Sequence, residues 1–120
     1  MSLRPHKNLV LWKESMELIK CIYQITVAFP ESEKFGIITQ YRRASISIIL
    51  NIAEGAARKS KKDFNHFLNI SQGSISEIDA LTEVSLELNF IDKNIYDLLF
   101  QKLGKISALL QGLIDSNNEK

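Results

Sequence analysis

The chain has 120 residues, a formal net charge of +1, 45% hydrophobic residues and 24% charged residues. This length suits one domain with a real hydrophobic core, and the composition is too apolar for a disordered chain. Near-neutrality excludes a strongly basic, histone-like binder, and the single cysteine, Cys21, excludes an internal disulfide. No apolar stretch is long enough to span a bilayer and the first residues show no signal-peptide core, so we expect a cytoplasmic protein.

Four amphipathic segments with helical spacing follow one another along the chain. The predicted helices cover residues 8–29, 32–57, 61–89 and 93–115, with flexible tails at 1–7 and 116–120. Two prolines and five glycines are too few for a many-turned β protein. Short loops make neighbouring helices antiparallel, so the sequence predicts one all-α domain, residues 1–120, folded as an up-down-up-down antiparallel four-helix bundle.

The helix boundaries are predicted from local signals. Pro30 ends the first helix, because the residue before a proline avoids helical geometry. Candidate N-caps for the later helices are Ser32, Ser60 and Asp92, and Ser60 forms a capping-box pattern with Asp63 three residues later.

The second helix is apolar almost all the way round from Ile46 onward. A helix of that kind must be buried on all sides, which one small bundle cannot achieve. The sequence therefore predicts a homo-oligomer whose interface uses the second helix together with the fourth or the first. The candidate interface residues are Ile46, Ile49, Leu50 and Ala53.

Two features concern packing around the second and third helices. Glu54 stands among apolar residues in the sequence. We interpret Glu54 and Asn51 as a structural polar clamp, in which Glu54 forms a hydrogen bond with Asn51, with Arg58 or with a neighbouring helix. A buried functional acid is the alternative. Small residues in the third helix are predicted to let a neighbour approach closely: Ser71, Gly73 and Ser74.

The charges are arranged in blocks. Residues 34–62 hold seven basic residues and one acidic residue, net +6, whereas residues 63–92 hold six acidic residues and no basic one, net −6. Antiparallel packing of the second and third helices predicts ion pairs, within or between subunits, that join Arg42 and Arg43 to Glu77 and Asp79. Acids spaced four apart form one ridge that faces either a cationic partner or solvent: Asp79, Glu83 and Glu87.

The basic residues concentrate at one predicted end of the bundle. This basic pole comprises Arg58, Lys59, Lys61 and Lys62 at one turn, with Arg4 and Lys7 from the start of the chain. The opposite end is acidic, with Glu31, Glu33, Glu87 and Asp92 against Lys34 and Lys93. In a cyclic oligomer the basic poles form a ring suited to phosphates, with Arg42 and Arg43 as secondary candidates; a merely solvated turn is the alternative.

Signs of catalytic or metal chemistry are sparse. Asp63 and His66 supply the acid-x-x-His spacing of a di-iron bundle once, and the only other histidine is His6. Phosphate-loop, dinucleotide and nucleophile patterns are absent from the sequence. We therefore predict no metal, no cofactor and no enzymatic activity.

The segment from Arg42 to Arg58, RRASISIILNIAEGAAR, resembles the RRAxxSIxxNIAEGxxR signature of four-helix-bundle proteins encoded in intervening sequences of bacterial 23S rRNA genes. The resemblance covers roughly residues 9–114. Further matches are Leu11-Trp12-Lys13, Phe35-Gly36, Phe64-x-x-Phe67-Leu68 and Gly73-Ser74-x-x-x-Glu77. The resemblance implies a left-handed bundle, commonly assembled as a homopentamer, and no catalytic residue. The chain is also similar to the accessory proteins of diversity-generating retroelements, pentameric barrels that bind nucleic acid and a reverse transcriptase.

Two hypotheses about function follow. In the first, the protein is an oligomeric binding module that contacts RNA or an RNA–protein complex through its basic pole. In the second, it is a protein-interaction scaffold without a nucleic-acid partner, and the two charge blocks pair within and between subunits. The partners of Asp79, Glu83 and Glu87 discriminate between the two hypotheses.

Overall fold

The computed structural model describes residues 9–119 and confirms the all-α prediction. The helices are α1 (Val10–Val27), α2 (Ile37–Ala56), α3 (Lys61–Glu87) and α4 (Lys93–Asn118). A short 3-10 helix, Glu31–Glu33, lies between α1 and α2. Each helix packs against the next and α1 packs against α4, so the four helices form a closed ring around one core. The molecule measures 47 × 22 × 20 Å.

Contacts between neighbouring helices join early residues of one helix to late residues of the next. The hydroxyl of Tyr41 in α2 bonds Thr82, and the carbonyl of Ile48, further along α2, accepts a bond from Ser71, which comes earlier in α3. Between α3 and α4, Glu83 meets Tyr96, whereas Asn65 meets Ile114. These pairs give α2–α3 and α3–α4 the antiparallel order that short loops predict.

The core is formed by apolar residues that recur at helical spacing in all four helices. Within residues 9–119, every fully buried side-chain nitrogen or oxygen has a hydrogen-bond partner. The most completely buried apolar side chains are Leu18, Ile22, Ile48, Ile52, Leu68, Ile78, Leu99, Ile106 and Leu110.

Two of the three predicted N-caps are observed. Ser60 Oγ accepts a hydrogen bond from the Asp63 N–H at 3.0 Å, and Asp92 Oδ1 accepts one from the Ile95 N–H at 2.9 Å. The Ser32 prediction is wrong, because Ser32 lies inside the 3-10 helix and α2 begins only after Gly36.

The α1–α2 and α3–α4 loops lie at the same end of the bundle. Asn89 has a φ angle of 60°, and the Phe90 N–H donates to the Ser85 carbonyl at 2.8 Å. These two features form a Schellman motif, which ends α3 two residues earlier than predicted. The Phe90 ring then contacts Phe29 of the α1–α2 loop, with centroids 5.2 Å apart.

The end of α4 extends further than the sequence indicates. Asn65 Nδ2 in α3 donates to the Ile114 carbonyl at 3.3 Å and to Asn118 Oδ1 at 3.0 Å, and Asn117 Nδ2 donates to Asn65 Oδ1 at 2.9 Å. These amide bonds hold the last turn against α3, so residues 116–118 are helical and not a flexible tail. The predicted tail at 1–7 lies outside the described residues.

Candidate nucleic-acid interface

The turn between α2 and α3 depends on a close approach at Gly55. A Cβ atom at this position would lie 2.8 Å from Phe64 Cδ1 and 2.9 Å from Phe67 Cβ. Real Cβ atoms do not tolerate such distances, so only glycine lets the start of α3 pack so closely on the end of α2. The turn therefore emerges from a tightly packed helical hairpin.

Arg58 braces the same turn from its surface. Its guanidinium forms an ion pair with Glu54 one helical turn earlier and lies 4.8 Å from the centroid of the Phe67 ring. Glu54 thus has the i+4 partner suggested by the sequence, and its exposure removes the buried-acid alternative. Asn51 is not bonded to Glu54, because its Nδ2 donates to the Ser47 carbonyl at 2.8 Å and to Ser47 Oγ at 3.1 Å.

Three lysines cluster at this turn, with Asp63 beside them in the first turn of α3. Lys59, Lys61 and Lys62 are exposed, and none forms an ion pair within residues 9–119. Lys61 and Lys62 are the first two residues of α3, where outward-pointing backbone N–H groups already create positive potential. Lysines are unfavourable there unless an anion is near, and a helix N-terminus suits phosphate. We call Lys59, Lys61 and Lys62 the basic turn.

The two arginines early in α2 lie far from the basic turn. Arg42 Nε donates to Thr26 Oγ1 at 3.0 Å, and its guanidinium lies 4.5 Å from the Tyr23 ring centroid. Arg43 and Glu77 flank an open groove of about 280 Å³ between α2 and α3. At 1.5 Å per residue, about 20 Å of helix separates Arg42 and Arg43 from the basic turn.

The predicted ion pairs between these arginines and the acids of α3 are not formed within the subunit. In the described part of the chain, neither Glu77 nor Asp79 pairs with Arg42 or Arg43. Arg42 instead contacts the Tyr23 ring and the Thr26 hydroxyl oxygen, both of which belong to α1. Arg4 and Lys7 lie outside the described residues, so their predicted place at the basic pole remains a prediction.

The acidic ridge on α3 is exposed. Asp79, Glu83 and Glu87 form no ion pair with any residue from 9 to 119. Glu83 accepts a hydrogen bond from the Tyr96 hydroxyl, and this bond is the main cause that raises the pKa of Tyr96 above its ordinary value. The +6 and −6 blocks therefore do not neutralise each other within one subunit.

The candidate oligomer interface on α2 divides into exposed and buried positions. Leu50 is 60% exposed, and Ile46 and Ala53 are half-buried. Ile49 is only 6% exposed within the subunit, so it can add little surface to the predicted interface. The contact between Arg42 and Tyr23 places a second partly exposed apolar stripe of α1 beside this face of α2. That stripe consists of Trp12, Met16, Ile19 and Tyr23.

The small residues predicted in α3 behave differently from one another. Ser71 and Ser74 are buried against α2, and Ser74 Oγ lies 3.0 Å from Ser47 Oγ. Gly73 is exposed, and a Cβ added there would have no neighbouring atom within 4 Å. Gly73 therefore plays no part in the close approach.

Metal sites and membrane spans are both absent from the described residues. Between residues 9 and 119, no three His, Cys, Asp or Glu side chains come together in a way that could hold a metal ion. None of the helices in that range combines the length and apolar character that crossing a membrane requires.

The fold and the turn define a class of protein, an antiparallel four-helix bundle with a braced basic hairpin. The sequence profile of the 23S rRNA-intervening sequence protein family matches residues 7–112, and the chain belongs to that family. A similar solved structure is a protein with unknown function from the S23 ribosomal protein family of Bacteroides thetaiotaomicron. It shares 27% sequence identity with a TM-score of 0.78, over 88% of this chain and 98% of that chain. No curated protein matches the chain.

Proposed function

We propose that this protein is a cytoplasmic, non-enzymatic, homo-oligomeric module that contacts RNA or an RNA–protein complex through the basic turn. The observation that carries the proposal is a set of three exposed lysines that form no ion pair at the end of a tightly packed hairpin. Neutralising phosphates at such a site releases condensed counterions, which is the usual driving force of sequence-independent nucleic-acid binding.

We assign Arg58 a supporting role at the basic turn. Because Glu54 and the Phe67 ring both engage its guanidinium, Arg58 stiffens the turn and adds little free positive charge. A rigid turn loses less conformational entropy when it meets a phosphate backbone. The lysines are then the contact residues and Arg58 is their support.

The oligomeric state belongs to the same proposal. An exposed Leu50 beside the partly exposed apolar stripe of α1 supplies an apolar face that a second subunit would cover. The family resemblance implies five subunits in a ring. Cyclic symmetry would bring five copies of the basic turn to one side of the ring and multiply weak single contacts through avidity.

A charge-reversal titration tests the RNA proposal. Fluorescence anisotropy of a labelled RNA hairpin would be followed at two salt concentrations with the wild type and with the triple variant Lys59→Glu, Lys61→Glu, Lys62→Glu. The matched control is Lys13→Glu, Lys20→Glu, Lys34→Glu, which has the same net charge but changes exposed lysines elsewhere. We expect salt-sensitive binding by the wild type and the control, and none by the turn variant.

Two outcomes would contradict RNA binding through the turn. One is the absence of wild-type binding at low salt. The other is an equal loss of affinity in the turn variant and in the control, because that result would show a response to net charge alone.

The subunit count is tested separately. Light scattering coupled to size exclusion should show that Leu50→Glu lowers the molar mass of the particle, whereas Val84→Glu on the outer surface of α3 leaves it unchanged. A wild-type monomer would overturn the oligomer proposal and leave the RNA proposal standing.

The second candidate function is a protein-interaction scaffold without nucleic acid. The unpaired acidic ridge favours it, because Asp79, Glu83 and Glu87 could pair with the basic turn of a neighbouring subunit. In that case the turn variant would change the subunit count, and the wild type would not bind the RNA hairpin.

A further inference from the structure

A small groove lies between α3 and α4 at the middle of the bundle. Its volume is about 200 Å³, and its apolar lining comes from Ile75, Leu103 and Phe100. The Phe100 side chain is 61% exposed within the subunit. The groove is therefore an apolar surface without an occupant in the subunit.

One wall of the groove is anionic. The Asp79 carboxylate lines it, and Glu83 lies one helical turn further along α3. The Tyr96 ring stacks on Phe100, with centroids 6.4 Å apart and an interplanar angle of 14°, and the Tyr96 hydroxyl donates to Glu83. Aromatic rings and carboxylates thus alternate along one edge of the α3–α4 pair.

A cation contacts an aromatic ring and a carboxylate elsewhere on α4. Lys93 Nζ lies 4.4 Å from the Tyr96 ring centroid and 3.1 Å from Asp97 Oδ1, so a cation is held between an aromatic ring and a carboxylate. The lining of the groove likewise includes an aromatic residue, Phe100, and an acidic residue, Asp79. Within residues 9–119, Asp79 has no cationic partner.

Gly104 keeps the groove open. It lines the groove from α4, and a Cβ added there would meet no atom within 4 Å. Packing within the subunit therefore does not require glycine, which is less favourable than alanine in a helix interior. Any side chain at this position would project into the space that a ligand would use.

We propose that the α3–α4 groove is a docking site for an arginine-containing, extended segment of a partner protein. The aliphatic part of the arginine packs beside Gly104 on the exposed Phe100 side chain, and its planar guanidinium meets the Asp79 carboxylate. Arginine fits better than lysine, because it stacks on aromatic rings and binds carboxylates through two N–H groups.

Spacing and composition both favour a partner protein over a second copy. Carboxylates four residues apart on a helix repeat every 6 Å or so, and same-side residues of an extended strand repeat at about 6.6 Å. Within the described chain, Arg42 and Arg58 already have aromatic and polar partners, and Arg43 lies in the α2–α3 groove beside Glu77. The proposal therefore assigns the guanidinium to a partner protein, and a second copy of this chain is the alternative that a subunit count detects.

A peptide-binding assay tests this site. The probe is a fluorescein-labelled Arg-Thr-Arg-Thr-Arg-Thr peptide, compared with Lys-Thr-Lys-Thr-Lys-Thr, and the readout is fluorescence anisotropy at low salt. The variants are Gly104→Leu, which fills the groove, and Asp79→Asn, which removes the charge at constant shape. The matched controls are Gly73→Leu, another exposed helix glycine with open space around it, and Glu77→Gln on the other side of α3.

We expect the arginine peptide to bind more tightly than the lysine peptide, and each groove variant to weaken it by at least about fivefold. Both controls should bind as the wild type does. Circular dichroism checks that all variants remain helical, and Asp79→Asn keeps the test decisive if Gly104→Leu does not fold.

Three results would overturn the proposal. The first is no binding of the arginine peptide by the wild type. The second is equal weakening by the groove variants and their controls, which would indicate unspecific attraction to acidic surface. The third is a fall in the subunit number of Gly104→Leu, which would make the groove an interface between copies of this chain.

Discussion

The α2–α3 seam and the α1–α4 seam of the same bundle are built in different ways. Between α2 and α3, glycine allows near-backbone contact at Gly55, and buried hydroxyls cross the seam at Tyr41 and Ser71. Between α1 and α4, an ion pair joins Glu14 to Lys105 at the surface, and an apolar groove of about 330 Å³ remains open near the ends of the helices.

This difference indicates that the two seams have different structural roles. Close contact and buried hydrogen bonds specify one geometry, because each misplacement creates a clash or an unpaired polar group. The seam with those devices is the one that carries the basic turn. The seam without them can accommodate substitutions, so we expect the largest loss of stability at the α2–α3 seam and the smallest at the α1–α4 ion pair.

The largest effect is expected at Gly55. In Gly55→Ala the new methyl group would lie under 3 Å from both Phe64 and Phe67, so the seam must open. We expect a loss of about 1–3 kcal/mol of unfolding free energy, measured by urea denaturation. A fully stable Gly55→Ala variant would show that the hairpin is not tightly packed.

Tyr41 comes next. Since the Thr82 hydroxyl donates to the Ile78 carbonyl, the Tyr41 hydroxyl is the donor to Thr82. Tyr41→Phe keeps the ring and loses this bond, which should cost about 1 kcal/mol.

Tyr41 also gives the wild type a pH dependence. Burial, as the largest cause, raises the pKa of Tyr41 in the folded state above its ordinary value near 10. Above that pH the unfolded chain releases the Tyr41 proton while the folded chain keeps it, so stability is lost as pH rises, by up to about 1.4 kcal/mol per pH unit. Denaturation series at several alkaline pH values should show a shallower decline for Tyr41→Phe, and identical slopes would contradict this account.

A gain in stability is expected at Gly112 in the α1–α4 seam. A Cβ at Gly112 would meet no atom within 4 Å, and the residue lies inside α4. Gly112→Ala should therefore raise the unfolding free energy by about 0.5–1 kcal/mol through helix propensity alone. Thermal melts of Gly112→Ala and Gly55→Ala should shift in opposite directions; parallel shifts would mean that the two seams do not differ.

The smallest effect is expected from the ion pair that joins α1 to α4. Lys105 and Glu14 are 2.8 Å apart, but the lysine side chain is more than half exposed. Lys105→Met should cost no more than about 0.5 kcal/mol, and less at high salt. A loss above 2 kcal/mol or so in the same denaturation assay would show that this seam depends on its charges.

Local signals in the sequence predicted much of the fold. Ser60 and Asp92 act as caps because the relevant bonds form within three residues of each cap. Ser32 has the same kind of local pattern. However, the Glu33 and Gly36 N–H groups form hydrogen bonds with carbonyls three residues earlier, and α2 begins only after this tight turn. The choice between the two starts depends on how the loop packs against the bundle, and a local pattern does not contain that information.

Tertiary contacts determined what the sequence could not predict about the site. The i+4 spacing of Glu54 and Arg58 is visible in the chain, but the Phe67 ring that holds Arg58 comes from another helix. Arg42 was expected near acids because charge blocks can be counted, whereas its contact with Tyr23 depends on how α1 is rotated about its axis. The phase of a helix separates Ser71 and Ser74, which are buried, from Gly73, which is not.

The unequal charges at the two ends of the molecule have a consequence at a distance. At one end of a particle 47 Å long, Lys59, Lys61 and Lys62 are balanced by Asp63, Asp115 and Glu119. At the other end, Glu31, Glu33, Glu87 and Asp92 exceed Lys34 and Lys93. A nearly neutral protein with that distribution has a permanent electric dipole along its long axis. In the field of a polyanion such a particle experiences a torque before it experiences net attraction, so it would arrive with the basic turn first. Dissolved salt would weaken that alignment once the separation exceeds about 10 Å.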